Sequence, residues 1–262
     1  MPCVIIEAFQ IEYTRSIRDG LLLAVFAAVI IHVVLLILTR ICGKIFKLSP
    51  VERLSAMYSN AGNLIIPIVS SILGSEWIIY SSAFIVVQLV LIWTHGRVVM
   101  SGKKEIRWKE FLININMISI LIGMLLFFFN INLPTIVGET ILGVSKMIGP
   151  ICMLTAGILF AGVDIRKMVK QKRIYLVTVL RMVVFPFVVL IVLKVSHLSQ
   201  LVEDGTTILL ISFLATTTPT AATVTQMAQV YGGDIDNATG IYVVTTLIAI
   251  ITMPIFVMLF QL

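Results

Sequence analysis

The chain has 262 residues, of which 59% are hydrophobic and 12% charged, with a mean hydropathy of +1.09; soluble domains are about 45–50% apolar and about 25% charged. This excludes a soluble globular protein, whose surface must stay largely polar or mixed, and it excludes intrinsic disorder. Three cysteines, Cys3, Cys42 and Cys152, lack metal-ligand spacing and exclude a disulfide scaffold. In a membrane chain the net charge of +6 marks cytoplasmic loops rather than a nucleic-acid surface.

Residues 1–19 form an N-terminal tail or linker that the charge pattern puts outside the cytoplasm, although it carries Arg15 and Arg18. Apolar runs long enough to cross about 30 Å of hydrocarbon, which takes roughly 17–25 helical residues, follow at 20–39, 57–73, 77–96, 112–130, 139–161, 174–194, 207–229 and 237–260. None shows the alternation of a membrane strand, so the expected fold is an all-α polytopic membrane protein with eight transmembrane helices. Arg40, Lys44, Lys47 and Arg53 follow the first span, Arg97, Lys103, Lys104, Arg107 and Lys109 the third, and Arg166, Lys167, Lys170, Lys172 and Arg173 the fifth. The clusters are two spans apart, fall on one side and assign that side to the cytoplasm.

A weak internal repeat runs through the spans. Placing Gly74-Ser75-Glu76 over Gly232-Gly233-Asp234 aligns Ile85 to Leu89 with Val243 to Leu247 at an offset of 158, and pairs the first three spans with the last three. Residues 20–111 then form an incomplete first half of three helices and residues 112–262 a second half of five. An odd number of helices per half inverts one half relative to the other. A five-plus-five architecture would need two further helices before the first span, about fifty residues at roughly 17–25 per span plus a connection, so the chain is expected to lack them.

Two repeat-related spans are polar inside. Asn60, Gly62, Asn63 and Pro67 interrupt the second, and Thr217, Thr218, Pro219 and Thr220 the seventh. Proline removes an N–H and clashes with the carbonyl one turn earlier, so each span is expected to be kinked or unwound at its proline. Freed backbone groups cannot face lipid and must meet protein or line a wet cavity, which makes paired broken helices the sequence mark of a transporter's substrate site. Their half-helix N-termini suit a carboxylate, with Asn and Thr side chains adding neutral hydrogen bonds. Close helix packing is the competing explanation for small residues and prolines; it is preferred for Pro150, Pro186 and Pro254, each alone in its span.

Three ionisable residues stand out within spans: His32, Lys146 and Arg181. Arg181 either attracts an anionic substrate or braces a broken helix; Lys146 reaches toward its nearer membrane boundary; His32 reads as a hydrogen-bonded structural residue rather than a proton relay. Carboxylates are absent from every span interior, which argues against sodium or proton coupling through a membrane Asp or Glu.

These residues resemble a known family. Ser59-Asn60-Ala61-Gly62-Asn63 running to Pro67 is similar to the fourth-helix signature of the auxin efflux carriers, a family of membrane transport proteins, and Thr218-Pro219-Thr220-Ala221 with Gln226 to Asp234 is similar to the ninth. Gly149-Pro150 through Ile158 also resembles the seventh helix, and the likeness covers 13–262. The resemblance implies a ten-helix inverted-repeat fold with scaffold and transport parts, its first two helices absent here, and substrate held where the fourth and ninth helices cross.

The expected function is secondary transport of small organic anions, carboxylates such as malate or malonate, by alternating access in the plasma or inner membrane, with no catalysis, cofactor or metal. The substrate-binding set is Asn60, Gly62, Asn63, Pro67, Thr217, Thr218, Pro219, Thr220 and Arg181. Partners are the anion, the lipid bilayer and no nucleic acid; a coupling ion, H+ or Na+, and a homodimer are left open. The alternatives are an inactive or regulatory membrane subunit, a remnant of a transporter, and, behind it, a membrane-embedded enzyme, for which no paired Asp, Ser–His arrangement or metal-binding carboxylates appear in the spans.

Overall fold

A computed structural model describes residues 2–11, 13–102, 113, 115–147 and 171–262, with 150, 151, 154, 157, 158, 161, 168 and 170 between. Regular structure among these residues is helical: α1 Pro2–Ala8, α2 Arg15–Ile45, α3 Pro50–Met57, α4 Ala61–Ile72, α5 Ser75–Ser101, α6 Ile115–Phe128, α7 Thr135–Ser145, α8 Lys172–Val195, α9 Gly205–Thr217, α10 Ala222–Tyr231 and α11 Ile235–Gln261. Of these, α2, α5, α8 and α11 are long and apolar enough to cross a membrane unaided. The spans read at 57–73 and 207–229 fall on pairs of shorter helices; half of the span read at 139–161 beyond α7, with Gly149 and Cys152, lies outside the described residues.

The outer face of α2 shows how the chain is solvated. Leu22, Phe26, Val29, Val33 and Ile37 recur at helical spacing and are exposed, while Leu23, Ala24, Ala27, Ala28 and Ile31 are buried on the opposite side. Both faces are apolar and differ in size, with small residues letting neighbouring helices approach and large ones left for lipid chains. That buried face packs on α5 and α9, and Gly20 leaves a contact so close that an added Cβ would lie 2.8 Å from both Ile208 and Tyr80.

The repeat has a structural counterpart. A long helix, a broken pair and a second long helix follow one another as α2, α3–α4, α5 and again as α8, α9–α10, α11. The turn that anchored the alignment is shared: Gly74 and Gly232 both have positive φ, 114° and 74°, and each precedes a long helix. The offset is not uniform, because α2 ends at Ile45 with α3 beginning at Pro50, whereas α8 ends at Val195 with α9 beginning only at Gly205. The longer second connection holds a 3-10 turn, Leu198–Gln200.

Two readings of the second span are corrected. Its helical structure begins at Pro50, not 57, because α3 is a separate helix with a Ser49 capping box and Pro at its start. The chain also does not break at Pro67, which sits inside α4. The break is at residues 58–60, roughly two turns earlier at about 3.6 residues per turn. In the seventh span the break does contain Pro219, between Thr217 and Ala222. The segment 2–8, read as part of a tail, is a helix whose Val4, Ile5 and Ala8 are buried and which packs on α6 and α7.

The two halves are tied together where basic clusters meet. Arg173, at the start of α8, donates from Nη1 to Phe46 O and from Nη2 to Lys47 O, both at 2.8 Å, and its Nε lies 3.0 Å from Glu52 Oε1. Glu52 is buried and its other oxygen accepts from Ser49 N at 2.7 Å. Arg173 of the third basic cluster therefore lies against the segment that carries Lys47 of the first; Arg166 and Lys167 of the third cluster, and Lys103, Lys104, Arg107 and Lys109 of the second, lie outside the described residues. Replacing Arg173 by Ala leaves the Glu52 carboxylate buried without its ion partner, a loss of about 1–3 kcal/mol; the thermal unfolding midpoint of the purified protein should fall, and an unchanged midpoint would contradict the clamp.

Candidate functional site

At the two breaks the backbone runs extended and the strands of chain pair. Ser59 and Thr220 form an antiparallel bridge, with Asn60 N donating to Pro219 O at 2.7 Å and Ala221 N donating to Tyr58 O at 2.9 Å. Each broken helix thus supplies what the other lacks. An unpaired N–H or C=O in the hydrocarbon costs several kcal/mol, and the bridge removes that cost at both crossings at once. Pro219 suits its position because its carbonyl is needed there and the N–H it lacks is not.

Side chains complete the crossing. Gln88 of α5 treats Ser59 as a neighbouring strand would: its Oε1 accepts from Ser59 N at 3.1 Å and from Ser59 Oγ at 2.6 Å, and its Nε2 donates to Ser59 O at 2.8 Å. In the other half Thr245 of α11 accepts from Thr220 N at 3.2 Å. Thr220 Oγ1 donates to Ser55 O, Thr217 Oγ1 to Leu214 O and Thr218 Oγ1 to Ala215 O, all within 2.9 Å. Tyr58, whose carbonyl carries the crossing, is fixed by its hydroxyl to Leu91 O and His95 Nδ1, each at 2.9 Å.

The crossing has two electrically opposite faces. The C-terminal ends of α3 and α9 converge on Arg181, which is fully buried. Its Nη2 donates to Thr216 O and Thr218 O at 2.8 Å, and its Nη1 to Met57 O at 3.3 Å and Ala56 O at 3.5 Å. Arg181 lies in a π turn, Leu180–Val184, of α8. The wide turn has a local cause in Pro186, whose ring would strike the Met182 carbonyl of a regular α-helix.

On the other face the N-terminal ends of α4 and α10 meet a cavity of about 90 Å3, lined by Ser59, Asn60, Gly62, Asn63, Gln88, Ala221 and Thr223 with Ile85, Leu89 and Ile92. No side chain caps either helix, so the first-turn amides of Ala61, Gly62, Ala222 and Thr223 lack an intrahelical acceptor. Each N-terminus carries roughly +0.5 of an elementary charge; the pair offers about one positive charge without a basic side chain. At about 30 Å3 per liquid water molecule, the space admits a few waters or one carboxylate-sized group.

The residues singled out in the sequence therefore divide. Asn60, Gly62 and Asn63 line the cavity. Thr217, Thr218 and Thr220 are buried with hydroxyls engaged within the crossing, Pro219 supplies a carbonyl to it, and Arg181 braces the helix C-termini. Pro67 lines a second cavity of about 490 Å3 with Glu7, Ser70, Ser71, Ser145 and Lys146. Partial burial raises the Glu7 carboxyl above its ordinary value, opposed by the Lys146 charge. A third hollow of about 430 Å3, lined by Leu36, Ile37, Thr39, Arg40, Arg53, His95 and Val99, is open and largely apolar. Although both are larger, neither gathers the free helix ends. His32 places Nδ1 2.7 Å from Ala28 O and its ring 4.6 Å from that of Phe84. Gln88, Thr245, Ser55 and Ser59 were not assigned to the site from sequence; the signal for Gln88 was that it is the sole amide in its span.

Replacing Gln88 by Leu strands three polar groups of Ser59 in the interior at about 1–3 kcal/mol each, while Thr245→Val strands one N–H. Thermal unfolding should rank wild type above Thr245→Val above Gln88→Leu; Gln88→Leu as stable as the wild type would remove Gln88 from the account.

A protein-family model described as membrane transport protein matches residues 1–109 and 103–257. No curated protein matches the chain.

Proposed function

The chain belongs to the membrane transport protein family, that of the auxin efflux carriers, and from that premise we propose that it is a secondary transporter of small organic anions, carboxylates such as malate or malonate, across the plasma or inner membrane. It is a multi-pass membrane protein with a transport function. The observation that carries the choice of substrate class is the cavity at the crossing: two uncapped half-helix N-termini, the amides of Asn60, Asn63 and Gln88, and no carboxylate in the lining. A carboxylate entering it exchanges water for backbone N–H groups already aimed at it and for two positive dipole ends. Apolar walls from Ile85, Leu89 and Ile92 suit a short carbon chain.

Alternating access follows from what is tied to what. Hydrogen bonds join the broken helices to α5, α8 and α11 through Gln88, Arg181 and Thr245, so these elements move as one body. α6 and α7 pack mainly on α1, and the three form the part against which that body rocks. The cavity then faces each side of the membrane in turn without the crossing itself unpairing. Asn60, Gly62 and Asn63 contact the anion; Pro219 and the threonines 217, 218 and 220 hold the shape that presents them.

Proteoliposomes loaded with unlabelled malonate should accumulate labelled malonate, and Asn60→Ala or Pro219→Ala should lower that exchange about tenfold or more, the equivalent of one lost interaction of about 1.4 kcal/mol. Succinate should compete and a neutral diamide should not. Equal flux through all three proteins would sink the site, and no flux through the wild type would favour a non-transporting membrane subunit.

A further inference from the structure

Transporters with broken helices hold their coupling cation on unwound carbonyls and half-helix C-terminal ends. In this chain that set of carbonyls is assembled: Ala56 O and Met57 O from the end of α3, Thr216 O and Thr218 O from the end of α9. The group they surround is the Arg181 guanidinium. We propose that Arg181 is a tethered cation, seated permanently where a free monovalent cation would otherwise bind, so that the anion is carried without a sodium ion at the crossing.

Charge and geometry both support this. Arg181 is fully buried, and neither described carboxylate ion pair involves it. Burying an unpaired charge is prohibitive unless something offsets it. The two helix C-termini do so, at roughly −0.5 of an elementary charge each against one positive charge. The planar fork places its two terminal nitrogens on two different helices, each nitrogen taking carbonyls from one of them, which an ammonium on a flexible stem would do less well. The guanidinium is tethered covalently to α8, so the seat is not emptied by a change in sodium concentration.

The seat can be tested by binding alone, independently of transport, while its consequence for coupling rests on the transporter reading above. Thermal unfolding of the full-length protein in detergent is measured with NaCl exchanged for choline chloride at constant ionic strength, for the wild type, Arg181→Ala and Arg181→Lys. The wild-type midpoint should not respond to sodium. Arg181→Ala should unfold at a lower temperature and regain most of the loss, saturably, with millimolar guanidinium chloride, as expected for a ligand filling a vacated site. A saturable sodium-dependent rise in the wild type, or an Arg181→Ala protein indifferent to guanidinium, would overturn the proposal. Should Arg181→Ala not fold, Arg181→Lys, which keeps the charge and loses the fork, should unfold below the wild type, and the wild-type sodium comparison decides. In proteoliposomes, wild-type malonate exchange should be the same in sodium-free and sodium-containing media. A sodium requirement would refute the tethered cation and leave transport standing; no exchange in either medium would refute transport and leave the seat to the guanidinium rescue.

Discussion

A helix interrupted inside a bilayer leaves backbone N–H and C=O groups that neither lipid nor its own turns can satisfy. This chain contains two such interruptions, and each resolves the other. The pairing of Ser59 with Thr220 closes the break at both helices, and the supports around it follow from the same need. Gln88 on α5 and Thr245 on α11 hydrogen-bond to the two bridge partners, Ser59 and Thr220, so the long helix that follows each broken pair gives the same support with a different side chain.

Pairing the extended segments antiparallel also sorts the four helix ends by sign. The C-terminal ends of α3 and α9 gather on one face and those of α4 and α10 present their N-termini on the other. One face gathers helix C-termini around the Arg181 guanidinium, and the other sets two helix N-termini beside a cavity. A single geometric device therefore accounts for a fully buried arginine and for a cavity with positive dipole ends but no basic side chain in its lining. It also ties the crossing to α5, α8 and α11 through Gln88, Arg181 and Thr245.

Composition and period made the bilayer, the long helices and the repeat legible, and Pro219 marked one break correctly. The other break was misplaced for a physical reason: Pro67 lies in the interior of a helix that continues through it, while the true break at Tyr58, Ser59 and Asn60 carries no proline. Helix α3 escaped the search for apolar runs because it is eight residues long and contains Glu52 and Arg53. Arg181 could be seen to need a polar interior, but not which one, since its partners are main-chain oxygens distant in sequence. Backbone carbonyls leave no trace in residue type. The same holds for the free amides of α4 and α10, whose importance shows only once the two helix starts are brought to one cavity.

The central claim is that this cavity holds a carboxylate between two helix N-termini. Its most direct test is an experimental density map of the protein at saturating malonate. The account predicts a carboxylate within hydrogen-bonding distance of the first-turn amides of α4 and α10, in contact with Asn60 or Asn63. Malonate density confined to the Glu7–Lys146 cavity, with the crossing cavity holding only water, would contradict it.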